Sequence, residues 1–267
     1  MSKDKRLEAF GRLLDVMDEL RVKCPWDRVQ TFESLRSSTI EETYELVDAL
    51  LDHDMKNVKK ELGDLLLHVI FYSKIASEEG AFDIADVADT ECDKLIFRHP
   101  HIFGAVHADT PDEVKQNWED LKLKEKEKEH EKKRVLSGVP RTLPSLVKAY
   151  RISQKAASAG FDWETKEDIW SKVQEEISEV QAAMQSGDEV NKEEEFGDLL
   201  FALVNAARLY GVNAETALEK CNKKFISRFT YIEEQAEKQG LSLRELSLAE
   251  MENWWCEAKN KAKEKTE

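Results

Sequence analysis

The sequence predicts an all-α protein built from two tandem copies of one unit of four or five helices. The chain has only 10 Gly and 5 Pro in 267 residues, fewer than a protein with many strand-connecting turns needs. Glu and Lys, which favour helix, dominate the 36% of residues that are charged. Apolar residues recur three and four positions apart, as in Leu7, Phe10 and Leu14, which is the period of an amphipathic α-helix.

An internal repeat carries the prediction of two copies. Five acidic residues of the first half recur 134 positions later: Glu41, Glu42, Glu45, Glu61 and Asp64 correspond to Glu175, Glu176, Glu179, Glu195 and Asp198. Two basic residues recur 130 positions later: Lys94 and Arg98 correspond to Lys224 and Arg228. A tryptophan and a lysine recur 137 positions later: Trp118 and Lys122 correspond to Trp255 and Lys259. Nine positions kept in order with so little drift indicate a tandem duplication.

The repeat places the first unit at residues 1–120 and the second at residues 142–267, with a charged helical linker at residues 121–141. Lys and Glu alternate along most of the linker. Such alternation is typical of a solvated helix rather than of a basic binding patch. The segment Ser137-Gly138-Val139-Pro140 is expected to end this helix.

Each unit is predicted to begin with an amphipathic helix, such as the one that contains Leu7, Phe10 and Leu14. A turn follows this helix. In the second unit this helix spans about residues 143–159 and ends at Gly160, a common helix stop. A tryptophan follows the helix in both units, Trp26 in the first and Trp163 in the second. We expect both rings to anchor the core.

The acidic residues lie on two further predicted helices in each unit. Glu-rich helices at about residues 33–52 and 166–186 each lead, through a short break, into helices at about residues 55–79 and 189–210. Another helix carries the Lys/Arg pair, and a last one carries the Trp/Lys pair. The apolar periodicity assigns core positions to Met17, Phe71 and Phe201.

The charge balance argues against several classes of partner. The chain carries a net charge of −15, which opposes binding to nucleic acid and to anionic membranes. It has no run of about 18 apolar residues that could span a bilayer, and no secretory apolar segment near its start.

The four cysteines lie far apart without Cys-x-x-Cys spacing, so neither disulfides nor a zinc site are expected. We expect a soluble cytoplasmic protein.

The repeated carboxylates have the spacing of a metal site. Residues three apart share a helix face, as Glu176 and Glu179 do, and as Glu195 and Asp198 do on the next helix. A short connection makes these helices antiparallel, so the two acidic pairs can converge. Acids crowded among apolar neighbours repel one another, and a hard cation such as Mg²⁺ or Mn²⁺ relieves that cost. The equivalent set in the first unit is Glu42, Glu45, Glu61 and Asp64.

The repeated cations suggest that the bound molecule carries phosphates. Lys224 and Arg228 lie four residues apart on one predicted helix, and Trp255 and Lys259 on another. Mg²⁺ commonly shares its ligands with substrate phosphates. Lys and Arg stabilise the negative charge that develops during phosphoryl transfer. A tryptophan beside them can cover the phosphates or the sugar.

The acidic helices admit two other interpretations, and the residues themselves argue against the first. A di-iron bundle also uses inward acids, but it needs Glu-x-x-His pairs, which neither acidic motif contains. The second alternative is a helical interaction protein that dimerises through its duplicated hairpins and retains only a vestigial metal site. Stabilisation by Mg²⁺ with nucleotide separates an enzyme from such a scaffold.

The paired motifs resemble those of a known family. E-E-x-x-E followed by E-x-x-D on paired helices, duplicated, together with the turn Cys24-Pro25-Trp26-Asp27, is similar to the two-domain MazG-type nucleoside triphosphate pyrophosphohydrolases. The resemblance runs from Leu7 to about Lys259. It implies a homodimer or higher oligomer and dependence on Mg²⁺, with Mn²⁺ as a substitute. It also implies cleavage of NTPs and dNTPs to nucleoside monophosphates and pyrophosphate, with broad or house-cleaning specificity; a pyrophosphatase for one modified or deoxy nucleotide is the narrower alternative.

The same resemblance implies roles for individual residues. It makes Glu176, Glu179, Glu195 and Asp198 the Mg²⁺ ligands, with Glu175 as a further ligand or as the base for the attacking water. The residues implied to bind the nucleotide are Lys172, Lys192, Lys224, Arg228, Trp255 and Lys259.

The second unit is expected to carry most of the catalysis. At the repeat spacing, Lys172 corresponds to Ser38 and Lys192 to Val58. Asp93 stands where the second unit has a lysine. The first unit therefore has less positive charge for binding phosphates. We expect it to bind metal, and to hydrolyse weakly or to select other nucleotides.

Overall fold

The computed structural model describes residues 3–110, 113–114, 117–118, 121, 134–186 and 189–264. Across these residues the regular elements are helices, and none is a strand. This confirms the predicted all-α fold. The helices of the first half are α1 (Lys3–Lys23), α2 (Phe32–Leu51), α3 (Met55–Glu78), α4 (Ile84–Arg98) and α5 (Pro100–Phe103). Those of the second half are α6 (Ser145–Ser158), α7 (Ile169–Ser186), α8 (Glu189–Leu209), α9 (Ala214–Gln239) and α10 (Leu248–Glu264).

The chain divides into two compact units, Met1–Glu125 and Lys126–Glu267. Residues 122–133, most of the predicted linker, lie outside the described part of the chain, as does Lys122 of the repeated Trp/Lys pair. A short 3₁₀ turn at Val135–Gly138 follows the linker segment. None of the described helices is long and apolar enough to cross a membrane.

The first unit is built around the α2–α3 hairpin, against which α1 packs through α3. Its buried core consists of Met17, Leu35, Ile70, Phe71 and Ile75. Burying a side chain of this size stabilises the fold by about 1.5–3 kcal/mol. The predicted core positions of Met17 and Phe71 are confirmed.

Side-chain caps fix where the hairpin helices begin. Thr31 and Ser34 form a capping box at the start of α2. The carboxylate of Asp54 accepts hydrogen bonds from the first backbone N–H groups of α3. Each cap satisfies donors that have no partner inside the helix, an effect worth about 1 kcal/mol. These caps set the short connection that makes α2 and α3 antiparallel.

The second unit repeats this arrangement with the α7–α8 hairpin. Ile169, Val173, Ala202 and Ala206 form its buried core, α6 packs across α8, and α9 pairs with α10. Helix α8 begins 134 residues after α3, the same spacing as the acids. Both helices end at a left-handed glycine, Gly80 with φ +69° and Gly211 with φ +70°. The repeat seen in the sequence is therefore a repeat of structure.

Three predicted core positions are wrong. Trp26 is 59% exposed, and Trp163 and Phe201 are 37% and 39% exposed. The Trp26 turn is held without its ring, since the Arg21 guanidinium donates hydrogen bonds to the backbone carbonyls of Asp27 and Gln30. Trp163 and Phe201 instead line a cavity. Apolar periodicity marks an inward face but does not distinguish a filled core from the wall of a cavity.

Candidate metal and substrate site

Three of the four predicted ligands in the second unit come together. Glu176 and Glu179 on α7 and Glu195 on α8 each offer a carboxylate oxygen, and these atoms lie within 4.8 Å of one another. The i, i+3 spacing on α7 and the antiparallel packing of α8 produce this set. Asp198 lies outside the set of three, and with Glu176 it lines the neighbouring cavity.

Glu176 shows that this set is suited to a cation. Its side chain is buried, with the residue only 4% exposed. One carboxylate oxygen, Oε1, lies 2.8 Å from the Lys172 ammonium, but the other, Oε2, is buried without a hydrogen-bond partner. A buried, unsatisfied carboxylate oxygen is costly. A divalent metal held by Glu176, Glu179 and Glu195 would satisfy it, and an all-oxygen donor set suits a hard cation.

Crowding of the acids changes their protonation. Partial loss of water and the negative charge of Glu176 raise the pKa of Glu179, with smaller contributions from Glu195 and Glu175, while Lys172 opposes them. Like charges held at short range disfavour the ionised form. The set therefore favours whatever positive charge is brought to it.

Lys172 is the cation that the chain itself brings to these acids. Its ammonium lies 2.8 Å from Glu175 and 2.8 Å from Glu176, and hydrogen bonds to both raise the pKa of Lys172. The structure thus places this predicted nucleotide contact at the edge of the acidic set. The predicted catalytic residue Glu175 is exposed and paired with Lys172. Lys192 pairs with Glu189 at 2.6 Å on α8.

The remaining predicted phosphate contacts lie on α9 and α10. The Arg228 guanidinium lies over the Trp255 ring, 5.3 Å from its centroid, so the structure brings these two residues together. Lys224 and Lys259 are exposed on the same two helices. In the described part of the chain, Lys224, Arg228, Trp255 and Lys259 are not among the residues that line the cavity beside the acids. Helix α9 packs mainly on α10 and α6 rather than on α8.

A cavity of about 720 Å³ opens beside the acidic set, walled by α6, α7, α8 and the turn after α6. Lys172, Glu176 and Asp198 line it, and Phe161, Trp163 and Phe201 contribute aromatic rings. Ser153, Asn205 and Arg208 also line it. These last three residues were not predicted as site residues. Comparison of the two repeats carries a signal for Asn205, which stands where the first unit has the larger Phe71.

The first unit contains an equivalent acidic set. Glu42, Glu45 and Glu61 offer carboxylate oxygens within 4.8 Å of one another, and Glu61, like Glu176, is buried. Asp64 lies outside that set of three. Loss of water and the charges of Asp64, Glu45 and Glu61 raise the pKa of Glu42.

A lysine from α3 reaches into the acids of the first unit. The Lys60 ammonium lies 3.0 Å from Glu61, 3.7 Å from Glu45 and 3.8 Å from Asp64. The hydrogen bond to Glu61 raises the pKa of Lys60, with smaller contributions from the nearby charges. At the repeat spacing, Lys60 corresponds to Glu194. The two units therefore neutralise matching acids with lysines from different positions.

Both acidic sets fall within segments that match one known domain. Residues 30–103 and residues 164–232 each match the MazG nucleotide pyrophosphohydrolase domain. Each matched segment contains one complete pair of acidic helices. The second segment also contains Lys224 and Arg228, whereas Trp255 and Lys259 lie beyond it.

Several curated proteins are similar over nearly the whole chain. A protein of Thermotoga maritima named nucleoside triphosphate pyrophosphohydrolase/pyrophosphatase MazG is 43% identical over 252 residues, covering 94% of this chain and 95% of its own. The nucleoside triphosphate pyrophosphohydrolase of Escherichia coli K12 is 42% identical over 258 residues, covering 95% and 98%. The uncharacterised protein YabN of Bacillus subtilis is 44% identical over 94% of this chain and 51% of its own length.

Proposed function

Because the chain belongs to the MazG family of nucleotide pyrophosphohydrolases, we propose that it hydrolyses nucleoside triphosphates between the α- and β-phosphates in an Mg²⁺-dependent reaction. The products are a nucleoside monophosphate and pyrophosphate. The names of the Thermotoga and Escherichia relatives support the activity. The buried, unpartnered Oε2 of Glu176 within a set of three carboxylates is the observation that carries the metal dependence.

Glu176, Glu179 and Glu195 hold the metal in this proposal, and Asp198 completes the ligand set from the adjoining turn of α8. Mg²⁺ held by these residues would supply positive charge that polarises the phosphates and makes a water molecule more acidic. Mn²⁺ also prefers oxygen ligands, so the same residues would hold Mn²⁺ as a substitute for Mg²⁺. The four carboxylates orient the metal on two rigid helices that are fixed by their own core.

The other site residues act on the water and the phosphates. Glu175, exposed beside Lys172, accepts the proton of the attacking water or serves as a further ligand. Lys172 stands at the junction of the acids and the cavity, where it contacts a phosphate oxygen. The residues proposed to stabilise the departing pyrophosphate are Lys192, Lys224, Arg228 and Lys259, with Trp255 covering it.

The second unit is the main catalytic unit in this proposal. Its cavity adjoins the acidic set, and Lys172 leaves one oxygen of Glu176 unpaired. In the first unit Lys60 lies among the acids instead. We propose that the first unit binds metal more weakly and contributes little hydrolysis.

A homodimer is also part of the proposal. Phe196, Leu200 and Leu203 are exposed along one stripe of α8, at spacings that keep them on one face. A contiguous exposed apolar face is typical of a surface that pairs with another chain. Light scattering after size exclusion is expected to give twice the 30.8 kDa mass of the chain, whereas a monomer would contradict this part.

Product analysis tests the function directly. The purified chain is incubated with Mg²⁺ and each of the common NTPs and dNTPs at neutral pH, as in the cytoplasm where we propose that it acts. The products are separated by ion exchange. We expect nucleoside monophosphate and pyrophosphate, with activity lost in EDTA and restored by Mg²⁺ or Mn²⁺. Nucleoside diphosphate and phosphate would overturn the proposed bond cleavage. Similar rates with all nucleotides would support broad specificity, and one strongly preferred nucleotide would support the narrower alternative.

A further inference from the structure

The hydroxyl of Ser153 is an unexplained polar group in the wall of the second unit's cavity. Ser153 is only 5% exposed, it lines the cavity, and its Oγ is buried without a hydrogen-bond partner. An unsatisfied buried hydroxyl is costly, because it loses its hydrogen bonds to water and gains none in the protein. A ligand with a complementary polar atom would remove that cost.

Asn205 adds a second polar group with a defined orientation. The Arg208 Nε donates a hydrogen bond to Asn205 Oδ1 at 2.9 Å. A guanidinium only donates hydrogen bonds, so the amide oxygen must face it and the NH₂ group must point elsewhere. Arg208 is itself held by a bidentate pair with Asp162. The wall of the cavity thus contains a fixed amide donor and a hydroxyl without a hydrogen-bond partner.

The volume and the aromatic lining of the cavity suit a ligand with a flat aromatic ring. Its volume of about 720 Å³ is in the range of sites that enclose most of a small organic ligand. Trp163 and Phe201 line it and remain more than a third exposed. Aromatic side chains stack on nucleobases whatever the identity of the base, because every base has a π-face.

The first unit fills the corresponding positions with its own side chains. Counted along the uninterrupted helices α3 and α8, Ala202 corresponds to His68 and Asn205 to Phe71. His68 Nδ1 is hydrogen-bonded to Thr39 Oγ1 at 2.8 Å, and Phe71 is buried in the core. The small residues of the second unit open space that the duplicated fold does not require. This difference suggests a cavity kept for a ligand.

We infer that this cavity binds the nucleoside part of the substrate, with the base between the aromatic rings and with Ser153 and Asn205 as its hydrogen-bonding residues. Asn205 donates to an acceptor on the edge of the base. Glu176 and Asp198, which line the same cavity, then receive the phosphates and their metal. The inference rests on the proposed function, because it assigns the nucleoside subsite of the same substrate.

The test uses nucleosides, which have no phosphates, and EDTA, which removes the metal. Saturation-transfer NMR is recorded with the full chain and adenosine, guanosine, cytidine, uridine and thymidine up to about 10 mM, so that millimolar affinity is detected. We expect transfer to the base protons of at least one nucleoside. Ser153→Leu, which fills the cavity, is expected to abolish the transfer. Ser158→Leu, on the exposed surface of the same helix, is expected to retain it.

A gentler pair keeps the test decisive if Ser153→Leu fails to fold. Ser153→Ala removes only the hydroxyl, and we expect it to weaken nucleoside binding about 2- to 10-fold, with Ser158→Ala unchanged. Absence of transfer from every nucleoside, or equal binding by wild type and Ser153→Ala, would overturn the inference. Nucleoside binding without NTP hydrolysis would overturn only the proposed function. Hydrolysis without nucleoside binding would overturn only this subsite.

Discussion

Lys60 and Glu194 occupy the same position of the two repeats, and the Lys60 ammonium lies 3.0 Å from the buried carboxylate of Glu61. In the second unit that position is acidic, and the neutralising cation is Lys172 on α7. Lys172 contacts Glu175 and one oxygen of Glu176, so that the second oxygen stays unpaired. Two differences between the repeats, Lys60 against Glu194 and Ser38 against Lys172, thus give each unit its own lysine counter-ion. Only in the second unit does that lysine leave one oxygen of a buried acid without a partner.

Replacing Lys60 with the residue of the second unit is expected to strengthen metal binding by the first. Lys60→Glu, in a Glu176→Gln background that disables the other set, is expected to bind Mn²⁺ several-fold more tightly by electron paramagnetic resonance titration. Lys60 is largely exposed, so screening keeps the effect moderate. Lys59→Glu makes the same change of net charge one residue away, outside the ion pairs described for Lys60. Equal gains in both variants would contradict a specific role for Lys60.

The two units are expected to differ in their contribution to catalysis. Glu176→Gln removes a ligand of the second unit and is expected to lower kcat/KM at least about 100-fold. Glu42→Gln makes the equivalent change in the first unit and is expected to lower kcat/KM less than about threefold. Steady-state assays of released pyrophosphate measure both. Comparable losses in the two variants would show that the units share the hydrolysis.

The acids of the second unit are expected to destabilise the metal-free protein at neutral pH. Folding raises the pKa of Glu179 above its usual 4.5, so the folded chain holds this proton more tightly than the unfolded chain. The free energy of unfolding therefore falls as pH rises from 4.5 through the folded pKa. Glu179→Gln should melt higher than wild type at pH 7 in EDTA, and the difference should vanish near pH 4.

Thermal unfolding between pH 4 and 8, with and without Mg²⁺, checks this expectation. Mg²⁺ is expected to raise the melting temperature of wild type at pH 7 and to lose that effect as protons displace it at low pH. Glu164→Gln removes an exposed acid of the same unit and serves as the control. If wild type and Glu179→Gln had the same melting temperature in EDTA at every pH, crowding would not be what raises the pKa of Glu179.

The Asp162–Arg208 pair is expected to stabilise the wall of the cavity. Burial alone would raise the pKa of Asp162, but hydrogen bonds from Arg208 and from the Trp163 N–H hold it below its usual 3.8. This contribution is complete above pH 3.8 and is lost as pH falls through the lower, folded pKa. Asp162→Asn should cost about 1–2 kcal/mol in urea unfolding at pH 7. A cost that persists unchanged at pH 2.5 would show that the charge pair is not its source.

The repeated acids could be predicted from the sequence because helix geometry links spacing directly to position. Residues three or four apart share a face, and a short connection makes neighbouring helices antiparallel. These rules were sufficient to bring Glu176, Glu179 and Glu195 together. The same rules place Asp198 beside them on α8, where it lines the neighbouring cavity together with Glu176 but does not belong to the set of three. A face fixes the direction of a side chain but not the distance across to another helix.

The lysines and the cavity could not be predicted by the same reasoning. Whether Lys60 or Lys172 reaches the acids depends on rotamers and on the separation of two helices, which periodicity does not determine. Trp163 and Phe201 have the spacing of core residues, but small neighbours such as Ala202 leave space in front of them. The sequence indicates that space only when the two repeats are aligned, because Ala202 then occupies the position that His68 has in the first unit.

Two phosphonate analogues of one NTP test the central claim most directly. One carries a methylene group between the α- and β-phosphorus atoms, and the other carries it between the β- and γ-phosphorus atoms. A chain that cleaves between the α- and β-phosphates is expected to convert the β,γ-methylene analogue to nucleoside monophosphate and to leave the α,β-methylene analogue intact. Release of phosphate from the α,β-methylene analogue, with the β,γ-methylene analogue untouched, would contradict the account.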